Sequence, residues 1–200
     1  MYTLDLTAKT MSQHEYPDGA IRPPARNSHT LTKSSDGTKA YLFGGANQDG
    51  PLKDLYELDL QTLAFKKIAL DESEMSLPMV EMHSAHIMSG THLLIIGGRK
   101  LEVGQPLANI VFSEDIYSIE LATGKVSMFG RLPTALGSHV SAIVDDRYLV
   151  VYGGTNGLRF FDSIMRYDTQ SKEWTLMTKQ PSELVSSPFF SDGRIASCSD

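Results

Sequence analysis

Cysteine is nearly absent from this 200-residue chain: Cys198 stands alone. A single thiol forms no intrachain disulfide and no cysteine-based metal cluster. Such a chain suits a reducing compartment without requiring one. Tryptophan is as scarce, with Trp174 only. Long apolar runs are missing too; the longest, such as 93–96, have the length of a strand and fall far short of a membrane span. The opening MYTLDLTAKT has neither the basic start nor the apolar centre of a signal peptide. Basic residues are the minority charge. The 18 Lys and Arg against 24 Asp and Glu leave a net charge of −6, which argues against the basic surface that nucleic-acid binding needs. These absences predict a cytoplasmic or nuclear protein with no membrane partner and no nucleic-acid partner. Helical periodicity is lacking as well. The Met-rich stretch 75–82 is broken by Pro78 and reads as a loop.

What the chain does have is repetition. An apolar run ends in a glycine pair at Gly44-Gly45, at Gly97-Gly98 and at Gly153-Gly154. From 45 to 98 and from 98 to 154 the spacings are 53 and 56 residues. After each pair comes an alternating segment that ends on an acid: Leu55 to Asp59, Ile116 to Glu120, Met165 to Asp168. These segments carry Tyr56, Tyr117 and Tyr167, and six residues beyond the acids stand Phe65, Val126 and Trp174. A histidine precedes each first glycine by 14 or 15 residues: His29, His83 and His139.

Four short strands per unit account for these marks, with turn residues such as Ser35-Asp36-Gly37 and Thr123-Gly124 between them. One four-stranded sheet cannot bury both its faces. Repeats of about 50 residues do so by stacking around an axis. The glycine pairs then have a physical reason. A side chain there would collide with the neighbouring sheet, and the tight strand exit needs positive φ. Phe65, Val126 and Trp174 are expected to fill the wedge between sheets, and the tyrosine hydroxyls to reach backbone partners.

The glycine pair after an apolar strand, the tyrosine and acid on the next strand, and the aromatic six residues on resemble the kelch repeat. The resemblance implies an all-β fold of kelch-propeller type, or part of one, built from four-stranded antiparallel blades. It covers residues 24–70, 78–130 and 134–179 as complete units. Phe65 and Val126 replace the usual tryptophan, and Glu120 stands where the others have Asp. Residues 1–12 read as the last two strands of a preceding unit, and 185–200 as the start of a further one. Three arrangements stay open: a piece of a larger propeller, a small closed ring, or a ring completed by another copy. An incomplete ring predicts self-association through its exposed sheet face.

No catalytic constellation is expected. His29, His83 and His139 recur with the repeat, as a structural role predicts, so neither a metal site nor a cofactor is assigned. The copper-oxidase kelch relatives need a cysteine-linked tyrosine and paired histidines. The iron-dependent ones need clustered Glu, Asp and His. Neither pattern is present. Ser28-His29 and Ser138-His139 are neighbours along a strand and point to opposite faces, so they form no nucleophile–base pair by themselves. The glycine pairs lack the Lys-Ser/Thr of a phosphate loop.

Binding of a protein partner is the expected function, and an enzyme with its site at the channel mouth, near His29, His83 and His139, is the alternative. The loops before the first strand and after the glycine pair, 13–26, 46–52, 99–112 and 155–161, emerge on one rim, where one scaffold acquires different partners. In peptide-binding kelch propellers, arginine, asparagine and serine at such positions hold acidic or polar ligands. The matching residues here are Arg26, Asn47, Arg99, Ser138, Asn156 and Arg159.

Overall fold

Each repeated acid is a turn device. Asp59 Oδ1 accepts the backbone N–H groups of Gln61 and Thr62, and Asp168 Oδ1 accepts that of Gln170. Asp5 does the same for Thr7 and Ala8. A short acceptor at the strand end satisfies the donors of the turning backbone and sends the chain back antiparallel. Glu120 is one methylene longer. It accepts from the Thr123 hydroxyl instead.

The computed structural model describes residues 2–179. Within them lie three four-stranded antiparallel sheets, each in simple meander order. The first blade comprises Thr30–Lys33, Lys39–Phe43, Leu55–Asp59 and Phe65–Ile68. The second comprises Ser84–Met88, His92–Ile96, Asp115–Glu120 and Val126–Arg131. The third comprises Val140–Val144, Tyr148–Tyr152, Ser163–Asp168 and Glu173–Lys179. A hairpin of Tyr2–Asp5 and Thr10–Gln13 precedes them. The helical content of the described residues is one 3-10 turn, Leu107–Asn109. The stretch 75–82 is mostly irregular, with a short strand at Met79–Glu81. The expected further unit at 185–200 lies outside the described residues.

The core is two seams between blades. Tyr41, Phe43 and Leu55 of the first blade pack on Leu93, Ile95, Ile119 and Val126 of the second. Leu94, Ile96 and Ile116 of the second pack on Leu149, Val151 and Tyr167 of the third. Every second residue of a strand faces one seam and its neighbours face the other. That is why the second strands are apolar throughout rather than alternating.

Val126 and Trp174 lie in the seams. Phe65 packs instead on Tyr16 and Tyr56. The tyrosines need a correction. Tyr167 pairs with Leu149, as Leu58 pairs with Ala40 and Ile119 with Leu93. It therefore stands two residues further along its strand than Tyr56 and Tyr117, whose counterpart is Met165. Nor does the Tyr117 hydroxyl seek backbone: it donates to the Asp115 carboxylate at 3.2 Å.

Candidate functional site

The first strand of each blade starts on a tight knot of backbone. Ser28, Met82 and Ser138, each just before the repeated histidine, all have positive φ, at 53°, 57° and 54°. The Met82 N–H donates to Ser28 O at 3.1 Å, and the Ser138 N–H to Met82 O at 2.9 Å. One ladder of hydrogen bonds thus runs from blade to blade. A second runs outside it, from the Gly45 N–H to Val80 O at 2.8 Å and from the Gly98 N–H to Leu136 O at 2.7 Å. A side chain on Gly44 would meet Val80 O at 2.6 Å, and one on Gly97 would meet Leu136 O at 2.5 Å. The first glycines of the first two pairs thus admit the next blade. The second glycine of a pair lies against its own blade, since a side chain on Gly98 or Gly154 would meet the Cβ of His83 or His139 at 2.9 and 2.8 Å.

This knot decides the fate of the six candidates. Ser138 belongs to the ladder through its backbone. Arg26 is locked inward. Its guanidinium side chain is 3% exposed and forms a bidentate pair with Asp54, with Nη1 also donating to Gly44 O at 2.9 Å. Burial raises the Asp54 pKa, but the hydrogen bond and charge of Arg26 outweigh it and hold the carboxyl below its usual range. Lys100 does the same for Asp115, the matching acid of the second blade, at 2.6 Å. Asn47 and Asn156 are turn-formers. Asn47 Oδ1 accepts the Asp49 N–H, and Asn156 Oδ1 accepts those of Leu158 and Arg159.

Arg99 and Arg159 remain outward-facing. Arg99 is 35% exposed, with Nε 3.5 Å from Glu81. Arg159 is exposed and stacks over the Phe161 ring at 4.7 Å.

The rim loops also pack on one another. Gly50 of the first blade leaves room for Leu107 of the second, and Gly137 and Gly157 of the third lie against the Phe112 ring. On this base sit exposed apolar side chains: Val103, Leu107, Val111, Leu158 at 92% and Phe160 at 67%. On the loops of the first blade a cleft of about 550 Å3 is lined by Asn27, Asn47, Gln48 and Asp49. Sequence reasoning, which sought ligand-holding polar groups, passed over the apolar residues. The signal was there in the runs Leu158-Arg159-Phe160-Phe161 and Ile110-Val111-Phe112, apolar segments inside loops.

A family model described as the KLHDC2/KLHL20/DRC7 Kelch-repeats domain matches residues 1–191. The chain belongs to the kelch-repeat family. Among curated relatives it is similar to Kelch domain-containing protein 10 of Xenopus tropicalis, 26% identical over 169 residues, covering 78% of this chain and 39% of the relative. The human protein of that name is 26% identical over 165 residues, 76% and 36% of the two chains. Multiple epidermal growth factor-like domains protein 8 of Mus musculus is 32% identical over 143 residues, 68% of this chain and 5% of the relative. The chain thus spans about two fifths of the length of the kelch relatives it matches first. Kelch repeats generally mediate protein–protein interactions and are typically non-enzymatic scaffolds. No helix among the described residues is long and apolar enough to cross a membrane.

The kelch histidines serve the seams. His83 Nε2 lies 3.0 Å from Thr30 Oγ1, and His139 Nε2 lies 2.8 Å from Ser84 Oγ, each reaching back to the preceding blade. Ser84 with His139 has the contact of a nucleophile and base. Yet the same contact recurs between Thr30 and His83, and His139 Nδ1 has no carboxylate partner among the described residues. A triad needs that third group. Burial first, then neighbouring histidines, pushes His83 down to about 3 and His139 to about 4, so both are neutral at physiological pH. The residues after the histidines, Thr30 and Ser84, thus become legible as the partners.

Proposed function

We propose that this kelch domain binds a partner protein segment on the rim formed by the loops after the glycine pairs, with Leu158 and Phe160 as apolar anchors and Arg99 and Arg159 as flanking cations. The observation that supports this most is the exposure of five large apolar side chains on loops of the second and third blades. Clustered exposed apolar groups rimmed by polar ones mark interaction surfaces. Arginine adds a planar fork that holds a carboxylate in two-point contact. The rigid ladder beneath fixes the loops, so little ordering entropy opposes binding.

Proximity labelling in cells compares the wild-type chain with the double variant Leu158→Ser, Phe160→Ser. The reading requires that specifically labelled proteins be lost from the variant while its thermal midpoint holds. An unchanged set of labelled proteins on a folded variant removes the rim from consideration.

A further inference from the structure

Asn156 is followed by Gly157, whereas Asn27, Asn47 and Asn109 are followed by Ser28, Gln48 and Ile110. A glycine leaves its backbone nitrogen unshielded by a side chain and free to approach the asparagine before it. That nitrogen attacks the side-chain amide carbon as an intramolecular nucleophile, with the two groups already tethered.

The loop is arranged for this step. Asn156 Oδ1 accepts the Leu158 and Arg159 N–H groups at 3.0 and 3.1 Å. Two donors on the amide oxygen draw electrons from its carbon and stand where negative charge develops as the ring closes. The Gly157 N–H donates to Thr155 Oγ1 at 3.0 Å, so the departing proton already has an acceptor. Gly157 is exposed and Asn156 half-buried, so water reaches the pair. The fold also holds the glycine in place. Its φ is 86°, and a side chain there would meet the Phe112 ring at 2.8 Å.

We propose that Asn156 is a self-modification site, at which the Gly157 nitrogen closes on Asn156 Cγ and reopening to isoaspartate releases the loop that carries Leu158 and Phe160. The bond formed is N–Cγ and the bond broken is Cγ–Nδ2. The amide nitrogen leaves as ammonia with the proton that Gly157 gives up, and no oxidant or reductant takes part. Water then opens the succinimide at either carbonyl, to aspartate or isoaspartate. The loop is pinned at both ends: Thr155 and Gly137 exchange backbone hydrogen bonds at 2.8 and 2.9 Å, and the Phe161 N–H donates to Gly154 O at 2.9 Å. The extra backbone carbon of isoaspartate must be taken up between them, at Leu158 and Phe160. Aspartate keeps the acceptor but sets a negative charge beside Arg159. Either product weakens a partner on the proposed rim, a consequence that rests on that reading.

The full wild-type chain, aged at mildly alkaline pH, provides the test through peptide mass and methylation by protein isoaspartyl methyltransferase. Asn156 is expected to lose its amide about ten-fold or more faster than Asn27, Asn47 and Asn109, and at least as fast in the native chain as in urea. Trypsin is expected to cut the aged native chain after Arg159 about five-fold faster than the fresh one. An Asn156 that keeps its amide as long as the other asparagines, a reaction slower in the native chain than in urea, or an aged chain cut no faster after Arg159 would each overturn the proposal. Neither readout involves a partner, so failure of the rim reading in the labelling experiment is distinct from failure here.

Discussion

The Ser84 hydroxyl lies 2.8 Å from His139 Nε2 and 2.6 Å from Ser141 Oγ, so one small group ties the second blade to the third at two points. Ser141 in turn meets His86 Nε2 at 2.8 Å. This short chain of polar contacts lies beside an apolar seam, where every unmade contact is costly. It works only with neutral rings, because His139 Nδ1 has no acceptor among the described residues and a second proton there would face no counter-charge from them.

Stability should therefore fall with acid, in a definite window. Folded His83 and His139 sit at about 3 and 4, against an ordinary value near 6.5. Between those values the unfolded chain binds protons that the folded chain does not. Stability is complete above about pH 6.5 and declines toward the folded values, by about 1.4 kcal/mol per pH unit for each histidine. Asp36 and Asp168, held to about 2, begin to lose their contribution only below the ordinary carboxylate range near 4. Urea midpoints should hold from pH 7 to about 6.5 and fall below it toward pH 5, and His139→Gln should remove part of the slope, the rest being carried by His83 and by His29 and His86, which burial also lowers. A flat wild-type profile would mean that the rings are solvated.

The glycine pairs give a graded series. Alanine at Gly97 would adopt φ of 57° and bring its Cβ within 2.5 Å of Leu136 O. Left-handed backbone costs about 1–2 kcal/mol, and the clash at a blade junction raises the loss to about 3–4 kcal/mol. At Gly153 the nearest atom among the described residues is Phe161 O, at 3.4 Å, and its φ of 68° sets a backbone cost for alanine of about 1–2 kcal/mol. Equilibrium denaturation of the two variants compares them. Equal losses would show that the neighbouring blade exerts no pressure on the first glycine.

Periodic features were the legible ones. The glycine pairs, the acids at Asp59, Glu120 and Asp168, and the wedge residues Val126 and Trp174 each recur because each blade solves the same packing problem. Tyr167 was misplaced for the same reason: a tyrosine is a conspicuous letter, but period-two alternation lets it serve the same face from two positions. Arg26 was unreadable in a different way. Its rim position is that of a ligand-holding arginine, and only the fold shows Asp54 beneath it, 28 residues away in the chain. Thr30 and Ser84 were hidden because their partners lie a whole repeat ahead.

Arg26 should accordingly behave as a core residue. Removing it strands Asp54, whose side chain is 17% exposed, at a cost of about 2–3 kcal/mol, below the loss for a fully buried pair because water still reaches the carboxylate. Arg26→Met combined with Asp54→Leu should recover most of that loss, since the pair is replaced by packing. Thermal denaturation of the single and double variants measures it. A double variant as weak as the single would indicate that the hydrogen bond to Gly44 O, not the ion pair, is what holds the loop.

On the rim, position and contact can be separated by comparing Asn156 with Arg159. The Asn156 carbonyl accepts two backbone donors at 3.0 and 3.1 Å, so Asn156→Ala should loosen the loop and cost about 1 kcal/mol. Arg159→Ala removes an exposed side chain and should leave stability within about 0.5 kcal/mol. Binding should respond differently. Arg159→Ala is expected to weaken a rim-bound partner mainly through slower association and a lower salt dependence, as loss of an exposed charge does. Asn156→Ala is expected to raise the dissociation rate, because Leu158 and Phe160 would no longer be held in one place. Surface plasmon resonance at two salt concentrations distinguishes them. If Arg159→Ala leaves both the rate and its salt dependence untouched, the flanking cation has no part in recognition, and the apolar anchors carry it alone.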